Sequence, residues 1–522
     1  MSIRLSVFLA AALLTSPASA AGNSVDVVRD LASRIGPIIG SAQVCRDIER
    51  SRVQVIVDKF QTVIREASPQ DADRADLQQG FDRSVVDGRN VVSFGKIDCK
   101  TAERQFSELE RSLGINNGTG LSGVIGPSAA AAATAPTAPL PPPAAVPTST
   151  ARGVTDNEIK FGIVGPFSGA SRELGRQMKL GIDAAFNRVN EAGGVSGRML
   201  KLIAADDGYE PSRTLDAMKT LYEKEQVFGF IGNVGTPTAA VAIPYALEKK
   251  ELFFGAFTGA NLLRSDPPDR YVFNYRASYV EETDSVVRYL IKLRHLQPRQ
   301  IAVLAQDDAY GDAGFAGVSK AFRALGVDDS AILRLGYKRN TVEVEEAINQ
   351  LKLQKTQIRA VVMVATYRAA AKFIEKTRDQ FPGLVYSNVS FVGSTQLADE
   401  LMMLGPRFAA GVIVTQVVPA VGGYSSAVLE YKAALNKYFP GEAPDYVSLE
   451  GYVAADVLIQ ALQKTGAQLD TEKLIDTLEN TRNLDLGLGT TLNFGRGEHQ
   501  ASHKVWGTAI DNKGKYQSLD LE

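Results

Sequence analysis

Between Glu158 and Thr258 the chain lays out strand, polar turn and helix three times in succession, a period that an open parallel sheet satisfies and few other folds do. Glu158 to Val164 is an apolar run that breaks at Gly165-Pro166-Phe167-Ser168-Gly169 and feeds an amphipathic helix from Arg172 to Ala192. Leu200 to Ala205 is apolar again. Asp206-Asp207-Gly208-Tyr209-Glu210-Pro211 then turns the chain, with proline at the start of a helix that runs from Ser212 to Lys224. In the third unit the strand Val227 to Ile231 enters Gly232-Asn233-Val234-Gly235-Thr236, and Pro237 opens a helix to Leu247; Leu252 to Ala256 then leads into Phe257-Thr258-Gly259. Small ligands bind at the carboxyl ends of such strands, where amides at helix N-termini are unpaired, and Thr236 and Thr258 are expected there.

The N-terminus carries Arg4, an apolar run from Leu5 to Leu14, and Pro17-Ala18-Ser19-Ala20, the pattern of a secretory leader over residues 1–20. That run is well short of the ~20 apolar residues that span a bilayer, so a soluble, exported chain is expected. No cysteine follows the cleavage site to carry a lipid anchor. The 522 residues, with a formal net charge of −2, exceed one core's usual capacity of roughly 250–300 residues. The balanced charge lacks the basic excess that grips phosphates, so no nucleic-acid partner is expected. The cations Arg288, Lys292, Arg294 and His295 read as the C-terminal end of a helix. Cys45 and Cys99 are the only cysteines; in an oxidising compartment they are expected to pair.

Residues 21–126 hold charged and apolar residues at helical spacing, over Val25 to Ile35, Cys45 to Glu66, Asp71 to Val86 and Cys99 to Leu113, and predict a small all-α accessory domain. Residues 127–152 form an Ala/Pro-rich linker that cannot bury a core. From residue 153 to 522 the βα alternation runs twice. Its second half includes strands at Ile301 to Ala305, Ala331 to Leu335, Ala360 to Val364, Val389 to Val392 and Gly411 to Val417. This predicts two α/β lobes, one over about 153–276 and 418–487, the other over about 277–417 and 488–522. The helices Ser425 to Tyr438 and Leu449 to Lys464 should cross back to the first lobe, and Thr491 to Phe494 and Lys504 to Asp511 should return to the second.

The run Asn190-Glu191-Ala192-Gly193-Gly194-Val195-Ser196-Gly197-Arg198, followed by Asp206-Asp207 and Pro211, resembles the signature of type I periplasmic binding proteins of the branched-chain amino-acid-binding (Leu/Ile/Val) branch. Gly165 to Gly169, Phe230-Ile231-Gly232, Ala239 to Pro244, Phe273 to Arg276 and Tyr310-Gly311 agree with it, and the resemblance covers about Val154 to Leu521. It implies two doubly wound parallel sheets joined by a hinge, closing over a ligand whose carboxylate the first lobe binds. By position in the motifs, Thr236, Ala256 and Thr258 resemble the carboxylate-binding groups. Tyr310 resembles the tyrosine that closes from the second lobe, and Tyr367 lies where the cleft is commonly lined. Phe167, Ser168, Phe257 and Thr395 complete the candidate set. One departure bears on specificity: where such receptors generally place an acidic residue to meet an amino acid's ammonium, this chain has Ser394-Thr395-Gln396. A cation buried without a carboxylate is costly. A carboxylic acid or amide is therefore expected ahead of an amino acid, unless Asp307 or Glu281 supplies the charge.

Catalysis has little support. His499 and His503 sit four apart, but Gly495-Arg496-Gly497 before them predicts a turn, and neither a phosphate-binding loop nor a nucleophile elbow is present. The resemblance implies a cofactor-free periplasmic receptor that delivers a small carboxylate, amino acid or amide to an ABC permease in the inner membrane. The competing reading is a periplasmic sensor that reports ligand closure to a membrane partner.

Overall fold

Among the described residues, helical spacing in the N-terminal region becomes four helices, α1 (Ala20–Val44), α2 (Arg50–Ala67), α3 (Asp71–Ser93) and α4 (Cys99–Ser112). The computed structural model describes residues 20–45, 48–67, 71–93, 98–112, 151–354 and 357–521. The expected leader, apart from Ala20, and the Ala/Pro-rich linker up to residue 150 lie outside the described residues. The chain divides into this helical unit and an α/β unit. In the helical unit Val28, Ile39, Ile56, Phe60, Leu77, Phe81 and Phe106 are buried together, with the Phe60 and Phe81 rings 4.8 Å apart. Arg52 ties α2 to α4 through Glu103 and Glu110. No helix among the described residues is long and apolar enough to cross a membrane.

Cys45 and Cys99 are joined, closing a separation of 54 residues. A loop of that length is worth about 4 kcal/mol in the chain-entropy treatment. Replacing both cysteines by serine is expected to bring forward an early phase of the far-ultraviolet dichroism in urea. Fluorescence of Trp506, the sole tryptophan, should keep its midpoint, because it sits in the other unit. Coincident, unmoved transitions would contradict a stabilising role for the bridge.

The α/β unit holds two sheets. In the first, β1 (Glu158–Gly165), β2 (Met199–Asp206), β3 (Gly229–Ile231), β4 (Leu252–Phe254) and β5 (Val272–Phe273) run parallel in the order β2-β1-β3-β4-β5. Around it lie α5 (Arg172–Glu191), α6 (Pro211–Lys219) and α7 (Thr236–Lys249). The helix α8 (Tyr279–Lys292), closed at its start by a Ser278/Glu281 capping box, leads into the second sheet. There β6 (Ile301–Gln306), β7 (Leu333–Tyr337), β8 (Ala360–Val364), β9 (Val385–Asn388), β10 (Ile413–Gln416), β11 (Trp506–Ile510) and β12 (Tyr516–Leu519) take the order β12-β11-β10-β9-β8-β6-β7. The last two strands are antiparallel. Every residue of β6 and of β8 is buried, as strands covered on both faces require. The layers between them include α9 (Ala309–Ala324), α10 (Glu345–Leu353), α11 (Tyr367–Thr377) and α12 (Ser394–Leu404).

Two late helices, α13 (Ser426–Tyr438) and α14 (Tyr446–Thr465), pack back toward α5. The crossing is tight: a Cβ on Gly181 of α5 would stand 1.8 Å from the Ser448 carbonyl, so only glycine admits it. The strand expected at Val389 to Val392 sits earlier, at β9. Asn388 bonds the Ala365 backbone and the Val389 amide through its side chain, and Ser390–Val392 forms a short 3₁₀ turn instead. The strand expected at Ala331 to Leu335 is likewise displaced to β7, Ala331 being the end of a 3₁₀ turn. Residues 491–494 form no strand beyond an isolated bridge between Leu484 and Leu492. Phe494 packs against Phe254 and Phe273 of the first sheet rather than returning to the second. The helix α15 (Thr471–Glu479) and the strand β12 were not expected from the sequence.

Candidate functional site

The carboxyl ends of β3 and β4 place two threonine hydroxyls face to face. Thr236 opens α7 after Gly235, whose φ of +108° excludes a side chain; a Cβ there would also meet the Tyr209 ring at 2.3 Å. Thr258 lies on the loop after β4, which an amide-to-carbonyl bond between Phe257 and Asn233 holds in place (2.8 Å). The Thr236 and Thr258 Oγ1 atoms are 2.7 Å apart, and both residues are fully buried. Thr258 Oγ1 also accepts from the Ala260 amide at 3.2 Å. Burial raises the Tyr279 phenol, against the opposing pull of Arg276, of the Thr258 hydroxyl and of the Gly259 backbone beside it.

Aromatic rings gather from both lobes around this pair. Phe257 stacks on Phe391 at 5.0 Å, Tyr310 meets Phe391 at 4.7 Å and Tyr279 at 5.4 Å, and Tyr209 reaches Phe391 at 6.0 Å. All five are buried. The Tyr310 hydroxyl lies in this cluster without a hydrogen bond. Burial pushes the Tyr310 phenol well above its ordinary range, so it stays a protonated donor. Tyr209 adopts a left-handed φ of +62°, costly for a bulky residue. Its amide donates to Asp207 (2.9 Å), and its hydroxyl accepts from Gln306 of the second lobe (3.2 Å).

Beneath the rings sits a buried charge network. The Arg276 guanidinium carbon lies 5.3 Å from the Phe257 ring centre and 5.6 Å from that of Tyr279. Arg276 donates to Glu282 at 2.7 Å, to Glu450 at 3.4 Å, and to Ser390. Burial opposes its charge, but Glu450 and Glu282 hold it above its ordinary value. Burial raises the Glu450 carboxyl to about 7 against the pull of Arg276. Arg264, whose guanidinium bonds the Arg276 carbonyl at 2.9 Å, is pushed down to about 10 by burial and by Arg276.

A set of bonds joins the lobes at the rim. Arg339 bridges Asp308 (2.8 Å) and Glu210 (3.0 Å), Asn340 donates to the Gly208 carbonyl (3.1 Å) and to Glu210 (2.7 Å), and the Tyr367 hydroxyl donates to the Ala170 carbonyl (2.6 Å). These are the contacts of a closed cleft.

Of the candidates read from the sequence, Thr236, Ala256, Phe257, Thr258 and Tyr310 are buried in one region, and Tyr367 stands at the rim. Two are directed elsewhere. The Ser168 hydroxyl and amide both donate to Asp206 on the exposed turn, which occupies that side chain. Thr395 opens α12 and lies beside the buried carboxylate of Asp445. Phe167 is half-buried, its amide also spent on Asp206. Tyr209, Tyr279, Arg276 and Phe391 escaped the sequence reading. Arg276 ends a motif, Tyr209 lies in a turn and Phe391 falls in an expected strand, but nothing local marks them as partners across the lobes. No group of three His, Cys, Asp or Glu among the described residues is placed to hold a metal. His499 stacks on Phe273 instead, with ring centres 3.8 Å apart. A concavity of about 450 Å³ beside Glu281, Lys320 and His503 shares no residue with the ring cluster.

A family model described as periplasmic binding protein matches residues 158–515. The crystal structure of a possible leucine/isoleucine/valine-binding protein from Rhodopirellula baltica is 38% identical, covering 72% of this chain and 98% of that one, with a TM-score of 0.67. A Pseudomonas aeruginosa protein named amino acid binding protein is 24% identical over 387 residues, 72% of this chain and 97% of the relative. A fatty acid ABC transporter substrate-binding protein from Thermomonospora curvata shares the fold at 21% identity and a TM-score of 0.64, over 72% of this chain and 94% of that one. These relatives are substrate-binding proteins rather than enzymes. Residues 20–112 lie outside the family match.

Proposed function

The chain belongs to the periplasmic binding protein family, and we propose that its α/β unit is the receptor of an ABC transporter, closing on a small carboxylate, amino acid or amide and delivering it to an inner-membrane permease. One observation carries the reading: the Thr236 and Thr258 hydroxyls face one another at the carboxyl ends of adjacent parallel strands, roofed by rings from both lobes. A buried carboxylate needs several donors. The two hydroxyls and the start of α7 are the donors such a carboxylate would meet here. The leader pattern and the Cys45–Cys99 bridge support a periplasmic setting.

Closure follows from differential affinity, since a ligand touching both lobes favours the state in which both reach it. The test is mass spectrometry of the small molecule released on denaturing the purified protein, with a thermal-shift screen of amino acids, carboxylic acids and amides. A ligand at about 100 times its dissociation constant adds about 2.7 kcal/mol to stability. A released acid or a strong shift in that screen is the expected result; silence across all three classes would overturn the reading.

A further inference from the structure

Resting on the receptor reading above, we infer that the cleft selects a carboxylate with an apolar body and, beside the carboxyl group, an oxygen acceptor in place of an amino acid's ammonium, as in a 2-oxo acid. The first ground is the disposition of acidic groups. Asp206 accepts from the Phe167 and Ser168 amides, and Asp207 from the Tyr209 amide and the Thr214 hydroxyl. Glu210 and Asp308 hold Arg339. Asp445 caps α14 and takes the Gln396 amide. Both acids that the sequence offered as substitutes are unsuited: Asp307 is exposed, and Glu281 is held by Ser278, Gln500 and His503. Glu282 and Glu450 face Arg276. Apart from the exposed Asp307, each of these carboxylates is thus committed to a partner within the protein.

A second ground is the charge already present. Arg276 lies within cation–π range of Phe257 and Tyr279, with Arg264 bonded to its carbonyl. Glu282 and Glu450 already pair with Arg276, so a ligand ammonium entering between these rings would approach that guanidinium without gaining a free carboxylate. The third ground is the buried Tyr310 hydroxyl, which makes no hydrogen bond and faces the same ring cluster as Thr258 and Tyr279. An unsatisfied buried donor is rare in a native structure. An oxygen acceptor on the ligand would satisfy it, and an ammonium, itself only a donor, would not serve the hydroxyl as a donor.

The test compares ligands that differ only at the carbon next to the carboxyl group: 4-methyl-2-oxopentanoate against leucine, and phenylpyruvate against phenylalanine. Each is titrated by calorimetry into the full exported chain after bound material has been stripped. In at least one pair the oxo acid is expected to bind at least about tenfold more tightly. An amino acid binding as tightly as its oxo acid, or more so, overturns the inference and leaves the receptor reading standing. Binding by no member of either pair overturns the inference, and silence across the amino acids, carboxylic acids and amides of the screen overturns the receptor reading as well. Tyr310→Phe separates the hydroxyl from the fold: it is expected to weaken the oxo acid about tenfold or more, with the unliganded melting midpoint unchanged or higher. Full affinity in Tyr310→Phe overturns the acceptor role.

Discussion

Replacing Thr236 and Thr258 together by valine is expected to weaken carboxylate binding by roughly two to four powers of ten, at about 1.5–3 kcal/mol for each hydrogen bond to a charged group. The fold should survive, because the two hydroxyls are each other's partner at 2.7 Å and valine keeps the branched shape of threonine. Removing both sides of a hydrogen bond costs far less than removing one. Each single valine should therefore destabilise the unliganded protein more than half as much as the pair, the non-additivity of neighbours in one network. Only the Ala260 amide loses an acceptor, from Thr258, which sets a small residual cost. Calorimetry with the released ligand, beside melting curves of the two singles and the double, reads both effects. A double variant that binds as well as the parent would remove the carboxylate from this site.

The two-sheet architecture could be read in advance because each βα unit announces itself locally. An apolar run, a glycine- or aspartate-rich turn and an amphipathic helix are set by residues close in the chain, as in Glu158 to Ala192. The carboxyl ends of the strands follow from that order, which is why Thr236, Phe257 and Thr258 could be placed close together in advance. What stayed hidden depends on packing between distant segments. Phe391 read as the end of a strand, yet Asn388 draws the backbone into its own hydrogen bonds and the turn after it carries Phe391 onto Phe257 and Tyr310. Tyr209 looked like an ordinary turn residue, and only its left-handed backbone and its bond to Gln306 reveal a link between lobes. Ser168 had the right chemistry and the wrong neighbour: Asp206, at the end of the adjacent strand, takes its hydroxyl. Position on a turn says where a side chain starts, and hydrogen-bond competition decides where it ends.

Arg276→Met is expected to be the most damaging single substitution in the α/β unit, with a loss of roughly 3–5 kcal/mol from breaking a buried ion pair on one side only. Arg276 is 1% exposed, Glu282 0% and Glu450 3%, so water cannot replace the lost cation. Glu282 would keep its hydrogen bonds from the Ser390 amide at 2.8 Å and from the Thr415 hydroxyl, but with no cation against its charge. Glu450 would be left facing Arg264 alone. The three residues come from the loop after β5, from α8 and from α14, so the damage should appear as an earlier urea midpoint in Trp506 fluorescence. Neutralising the network as a whole should recover much of the loss. A triple variant with Glu282→Gln and Glu450→Gln added to Arg276→Met leaves neither carboxylate charged without Arg276, and buried ion networks replaced by neutral groups are often no less stable than the original. If the single variant melts like the parent, the network contributes little to stability. If the triple variant is as unstable as the single, packing around the guanidinium, rather than its charge, is what the fold requires.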